Sequence, residues 1–200
     1  MSDGEPSTEQ PAAGKPIRAF VALELPEALH DGVAATVRDL KTRLPEVRWV
    51  REEGVHATLR FLGWTRAETL AALEPALRDA AAQCPPLEVS VGGLGMFPDR
   101  GSPRVLWLGM DLPTPGLALQ AACERAAVAA GFPGEERPFH PHLTLGRWRD
   151  RARRPALPDV RLGSGRIDRL VLFRSQLASS GALYTPLATL PLAGAADAVR

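Results

Sequence analysis

His56-Ala57-Thr58-Leu59-Arg60-Phe61-Leu62-Gly63 and His142-Leu143-Thr144-Leu145-Gly146-Arg147 carry one pattern twice, 86 residues apart. Each begins His-x-Thr-Leu, and the chain contains only 4 histidines. On a β-strand, residues i and i+2 share a face. His56 and Thr58 therefore point one way, while Ala57, Leu59 and Phe61 line the other face and can enter a core. His142 and Thr144 repeat the arrangement, with Leu143 and Leu145 behind them. Each strand presents an imidazole and a hydroxyl about 7 Å apart on an apolar back.

The repeat extends outward. Arg18 opens one apolar run, Ala19 to Leu25, closed by Pro26; Arg104 opens another, Val105 to Leu112, closed by Pro113. These openings are also 86 residues apart. After the first run Leu29, Val33, Val37, Leu40 and Leu44 form one helix face, ended by Pro45. Val47 to Val50 reads as a short strand, and the His56 strand runs from Val55 to Phe61, closed by Gly63. Thr65-Arg66-Ala67-Glu68 has capping-box spacing before a second helix with Leu70, Leu73 and Leu77. Leu87 to Val91 is a strand leading to a Gly-rich turn. The second unit has an Ala-rich helix from about Gly116 to Ala130, then the His142 strand. Residues 149–165, rich in Arg, Pro and Gly, read as a loop. Strands over Ile167–Phe173 and Tyr184–Leu192 close the chain. Matching order at a matching offset indicates an internal duplication. The expected fold is α+β, with two duplicated α/β lobes related by a pseudo-two-fold and a cleft between them. Residues 17–193 form one bilobal domain with halves near 17–98 and 103–192. Residues 1–16 are expected to be a disordered polar tail and 194–200 a frayed end.

Composition narrows the functional classes. The 200 residues are 45% hydrophobic, too apolar for a disordered chain, with no run long enough for a membrane span. The 24 basic and 23 acidic residues leave a net charge of +1, so no global positive field exists to hold long nucleic acid. Only Lys15 and Lys41 are lysine. Cys84 and Cys123 stand in no metal-type spacing and suggest no disulfide framework. The N-terminal stretch lacks the apolar core of a secretory signal, which points to the cytoplasm. A monomer is expected.

Facing one another across a cleft, the two His-x-Thr pairs supply two titratable imidazoles, two hydroxyls and no carboxylate. That set suits phosphodiester chemistry. Cleavage of a P–O bond by water needs a proton removed from the nucleophile and another given to the leaving oxygen. With an ordinary pKa near 6.5, histidine performs both near neutral pH. Threonine hydroxyls can donate to the non-bridging oxygens as charge grows there. No metal or other cofactor is demanded. His140-Pro141-His142 sets two imidazoles on one face, but no Asp, Glu or Cys stands at ligand spacing, and the first strand offers a single histidine. His140 either orients His142 or sits at the cleft rim. Symmetry alone does not say which histidine is acid and which is base.

These residues resemble the two-histidine phosphoesterase superfamily, and within it the bacterial RNA 2′,3′-cyclic phosphodiesterases, also called 2′-5′ RNA ligases. The likeness rests on Arg18 to Pro26, Arg48-Trp49-Val50, the stretches from His56 to Gly63 and from His140 to Arg147, Phe97-Pro98, and the closing run Leu172 to Leu177 with Gly181 and Tyr184. It implies antiparallel sheets around a V-shaped, water-filled cleft. It also implies hydrolysis of an RNA 2′,3′-cyclic phosphate end, or of a cyclic-phosphate nucleotide, to a 2′-phosphomonoester. His56 would be the proton donor and His142 the acceptor, with Thr58, Thr144 and Arg147 holding the phosphate. The same groups would serve 2′-5′ ligation, and a non-catalytic nucleotide- or RNA-binding module is the alternative of a different class. Strand parity sets Arg147 on the face away from His142 unless the strand bulges or ends at Gly146. Arg60 shares the parity of His56. Phe61, Phe139 and Trp148 are candidates to stack a base, with core packing the stronger expectation for Phe61. The cluster Arg149, Arg151, Arg153 and Arg154 reads equally as an RNA-strand patch and as a solvated loop.

Overall fold

The computed structural model describes residues 15–178 and 181–193. The expected tail and frayed end fall, apart from Lys15 and Pro16, outside the described residues. Strands β1 (Ile17–Glu24), β2 (Val47–Trp49), β3 (His56–Thr65), β4 (Leu87–Phe97), β5 (Val105–Asp111), β6 (His142–Trp148), β7 (Arg161–Ile167), β8 (Arg169–Ala178) and β9 (Gly181–Pro191) form a single sheet. Its order is β7-β4-β5-β6-β3-β1-β8-β9, with β2 paired to β6, and every pairing is antiparallel. Helices α1 (His30–Arg43), α2 (Ala67–Ala82) and α3 (Thr114–Ala129) complete the α+β architecture.

The helices cover one face only. Val33, Val37 and Leu40 of α1, Leu70, Leu73 and Leu77 of α2, and Leu119, Cys123 and Ala127 of α3 are buried in the same core as Ala19, Val21 and Leu23 of β1. Ala57 and Leu59 of β3 and Leu143 and Leu145 of β6 join that core, as their alternation demands. Phe20, Ala22, Val171 and Phe173 form a small second cluster on the opposite face. No helix among the described residues is long and apolar enough to cross a membrane.

The two halves meet at one pair, Ala57 opposite Leu143. These residues are themselves 86 apart, so the duplication offset runs through the seam and the pseudo-two-fold passes between them. On one side lie β3, β1, β8 and β9; on the other β6, β5, β4 and β7. The sheet halves therefore differ from the sequential split near residues 98 and 103. Strand β4, from the first half of the chain, joins β5, and β8–β9 return to pair with β1. The physical reason is that each lobe completes its sheet by exchanging outer strands, a long-range pairing that local periodicity does not encode.

Glycines account for the other departures from expectation. The stretch read as a Gly-rich turn continues β4 to Phe97, because a Cβ on Gly95 would collide with the indole of Trp107. The bare backbone makes room for that ring. Residues 161–165, expected in a loop, belong to edge strand β7, which runs on to Ile167 and whose Gly165 lies against Pro26. Gly63 does not close β3: at φ +69° it sits in a bulge and the strand runs on to Thr65. Thr65 is consequently still paired with Ile17 and makes no capping bond to α2.

The seam predicts a stability effect. Leu143 is fully buried behind the strand that carries His142 and Thr144. Leu143→Ala should lower unfolding free energy by about 2–5 kcal/mol in urea titrations. A loss under about 1 kcal/mol would contradict this packing.

Candidate active site

Two main-chain carbonyls set the histidines. His56 donates from Nδ1 to the carbonyl of Gly54 at 2.7 Å, and His142 donates from Nδ1 to the carbonyl of His140, also at 2.7 Å. A carbonyl can only accept, so Nδ1 of each ring carries the proton and the neutral ring keeps a free lone pair on Nε2. Gly54 and His140 are once more 86 residues apart. The acceptors thus obey the repeat even though their side chains differ. His140 orients His142 through its carbonyl rather than its ring, which packs edge-on against Trp107 and Phe97 with centroids at 4.8 and 5.4 Å.

The surroundings of the two rings differ. His56 stacks on Phe20 with centroids 4.6 Å apart and planes 22° from parallel, and Tyr184 stands edge-on to it at 5.0 Å. Burial among these rings and Phe173 pushes the His56 pKa down to about 4; the Gly54 carbonyl raises it and the charge of His142 lowers it further. His142 lies between Phe97 at 5.1 Å and Trp107 at 6.2 Å. Its pKa is also lowered, first by burial, with its carbonyl partner raising it and the charges of His140 and Arg147 opposing protonation. Across the seam the charge of His142 is the least of the influences on His56, after burial and the Gly54 carbonyl. Thr58 and Thr144 are half-buried on the same face.

A bulge brings Arg147 to this face. Leu106 pairs with Gly146 but Trp107 pairs with Thr144, leaving Leu145 as the extra residue. Leu145 and Gly146 are both buried, and Arg147 emerges exposed on the side of His142. Parity counted along an unbroken strand predicts the wrong face. The first lobe has the same bulge: Val21 pairs with Arg60 and Ala22 with Thr58, skipping Leu59. Phe61 is therefore 48% exposed and lines the cleft, not the core as expected. It stands 86 positions before Arg147, so the two lobes place an aromatic ring and a cation at equivalent points.

The same bulge turns Arg60 inward. Arg60 is 7% exposed, pairs with Glu124 of α3 at 2.7 Å, and donates to the carbonyls of Phe61 and Pro133. Glu124 in turn accepts from the Glu135 main-chain N–H at 2.9 Å. Arg60 thus ties β3 to the loop that leads to His140, and shares parity with His56 only on paper. Trp148 is buried with its Nε1 on Glu46, which removes it as a stacking surface; Phe139 is half-buried in the cleft lining. Tyr184, which the resemblance places in the closing strands without a role, is the site residue that sequence reasoning misses. Burial raises its pKa while the charges of Arg147 and Arg18 oppose the rise, so it is a neutral phenol. Its pairing with Ser175 across β8–β9 brings it to His56 from a distant part of the chain.

The cleft has a volume of about 1280 Å³, lined by Thr58, Phe61, Phe97, Arg104, His140 and His142 among others. Among the described residues, no three His, Cys, Asp or Glu side chains gather as they would around a metal ion.

The chain is similar to known proteins in sequence and fold. The family model for the 2′-5′ RNA ligase superfamily matches residues 25–177. A Methanothermobacter thermautotrophicus protein named RNA 2′,3′-cyclic phosphodiesterase is 35% identical over 178 residues, spanning 86% of this chain and 96% of the relative. A Thermus thermophilus protein of the same name is 32% identical, over 89% of this chain and 91% of its own. Among solved structures, TT0787 of Thermus thermophilus superimposes with a TM-score of 0.79 at 28% identity, covering 90% of this chain and 100% of that one. E. coli LigT complexed with 3′-AMP gives 0.75 at 28% identity, covering 89% and 99%. With its paired histidine strands and a family match over most of its length, this chain belongs to the 2′-5′ RNA ligase superfamily.

Proposed function

We propose that this chain is an RNA 2′,3′-cyclic phosphodiesterase that opens the cyclic end to a 2′-phosphomonoester by metal-independent acid–base catalysis. The observation that carries the reading is the pair of carbonyl-locked imidazoles, each with Nε2 free, on the two sides of one seam. Relatives of the same family bear that activity in their names.

His142 is the better base. Burial first, and then the charges of His140 and Arg147, disfavour a proton on it, so it is neutral at pH 7 and its Nε2 can take the proton of an attacking water. His56 is the acid. Its ring lies over the face of Phe20, where an imidazolium gains a cation–π contact of about 0.5–2 kcal/mol. The free-site pKa near 4 means that this proton arrives with the anionic substrate, whose charge between the rings offsets the desolvation. As the water oxygen bonds to phosphorus, the P–O3′ bond breaks and His56 Nε2–H protonates O3′. The product keeps its phosphate on O2′. Thr58, Thr144 and Arg147 donate to the non-bridging oxygens. Tyr184, held neutral, is a further donor at the same centre. Phe61 offers its exposed ring to the base of the terminal nucleotide.

Two outcomes follow. His56→Ala and His142→Ala should each lower kcat on a 2′,3′-cyclic nucleotide by about 10²–10⁴-fold with an unchanged thermal midpoint. Parent activity should persist in excess EDTA; loss on chelation with recovery on adding metal, or a 3′-phosphate product, would remove the mechanism.

The pH dependence carries a sign. Both histidines have pKa values below the ordinary 6.5, so the bell-shaped profile of kcat/KM should be centred on the acid side of that value. Burial is the main cause of the lowered His142 pKa and the Arg147 charge a lesser one, so Arg147→Gln should move the profile slightly to higher pH. A profile centred above pH 7, or one unmoved by this substitution, would contradict the assignment.

A further inference from the structure

The segment Arg149-Asp150-Arg151-Ala152-Arg153-Arg154 places four cations and one anion in six residues immediately after the strand that bears His142. A genome-wide preference for arginine accounts for the residue type, and 22 of the 24 basic residues follow it. It does not account for the placement. The segment is pinned against the β4–β5 hairpin: Ala152 N–H donates to Ser102 Oγ at 3.0 Å, Arg104 donates to the Arg149 carbonyl at 3.1 Å, and Arg154 donates to the Pro98 carbonyl at 2.7 Å. Pro98 and Arg104 themselves line the cleft. The arginine segment is therefore built onto the back of a cleft wall, at the lobe that carries His142.

Its side chains face outward. Arg149, Arg151, Arg153 and Arg154 are all exposed, and the first three make no side-chain hydrogen bond or ion pair among the described residues. Arg48, cross-strand from Arg147, extends the same sign along β2. Holding like charges together on an ordered backbone is unfavourable unless an anion is there to meet them. Another part of the cleft wall has the opposite balance. Residues 134–138 carry Glu135 and Glu136 against Arg137 alone. A polyanion leaving the cleft is repelled along that stretch and attracted along the arginine segment.

We propose that residues 149–154 form the docking surface for the phosphodiester backbone of a single-stranded RNA whose cyclic-phosphate end lies in the cleft. This deepens, and rests on, the cyclic phosphodiesterase reading, and makes an RNA strand rather than a cyclic mononucleotide the preferred substrate. Affinity on such a surface comes from counterion release, which depends on charge and not on sequence. The arginines therefore act on KM for strands, discriminate little among bases, and leave the chemical step alone.

The test is a triple substitution, Arg149→Ser with Arg151→Ser and Arg153→Ser, in the full chain. These side chains anchor nothing, so the thermal midpoint and the kinetics on a 2′,3′-cyclic mononucleotide should be unchanged. On a short RNA oligomer ending in a 2′,3′-cyclic phosphate, KM should rise about tenfold or more at low salt while kcat holds. The slope of log kcat/KM against log salt should flatten by about 2, at about 0.7 for each lost contact to a single strand. The corresponding triple lysine variant should retain the parent behaviour. Equal KM and equal salt slope for the serine variant and the parent would overturn the proposal. Anisotropy with a labelled oligomer ending in a 2′-phosphate reads the surface without turnover. An inactive parent that still binds this oligomer through the three arginines would sink the catalytic reading and keep the surface; equal binding by parent and serine variant would sink the surface alone.

Discussion

A single bridge, Ala57 to Leu143, joins the two halves of the sheet, and the placing of every reactive group follows from it. Because these residues are equivalent in the duplication, whatever stands one position before or after Ala57 is matched across the seam by its repeat. His56 and His142 flank the bridge on one side of each strand, Thr58 and Thr144 on the other. The apolar alternates behind them lock both strands to one core, so neither imidazole can change face without exposing Leu59 or Leu145. The Nδ1 contacts to Gly54 and His140 then fix the remaining freedom, the rotation and tautomer of each ring. Rigid strands and main-chain acceptors supply the preorganisation that acid–base catalysis needs.

Duplication gives symmetry of position, and divergence gives asymmetry of environment. The first lobe surrounds its histidine with Phe20, Phe173 and Tyr184 and puts Phe61 at the bulge. The second surrounds its histidine with Phe97 and Trp107 and puts Arg147 at the equivalent bulge. Two chemically identical side chains thereby acquire different proton affinities, and Arg147, which only the second strand carries, contributes to the lowering at His142. The arginine segment continues the bias of the second lobe outward from the cleft.

The histidine strands, the helix stripes and the offset are legible in the sequence because each depends on periodicity over a few residues. Leu29, Val33, Val37 and Leu40 are buried as their spacing requires. Features that depend on backbone irregularity are not legible. Parity assumes an unbroken strand, and the paired bulges at Leu59–Arg60 and Leu145–Gly146 reverse it for Phe61 and Arg147. Gly146 signals its bulge, which the sequence leaves open as an alternative to strand parity, whereas Arg60 at the equivalent position gives no sign of one. Strand β7 carries no local signal because its Gly165 accommodates Pro26, a contact from the far end of the chain. The carbonyl acceptors are not legible, because Gly54 and His140 are different residues and a comparison of side chains passes over a main-chain contact. The closing strand that begins at Tyr184 is legible, but its return onto β8, which brings Tyr184 to the site, is a pairing that no local pattern announces.

The central claim is that both Nε2 atoms address one phosphorus. Long-range ¹H–¹⁵N NMR of the histidine rings, recorded during titration with a nucleoside 2′-monophosphate, tests it most directly. The account predicts Nδ1-protonated neutral rings for both His56 and His142 in the free chain, and saturable shifts of both Nε2 signals with a common dissociation constant. Perturbation of only one of the two rings, or Nε2-protonated tautomers in the free state, would contradict it.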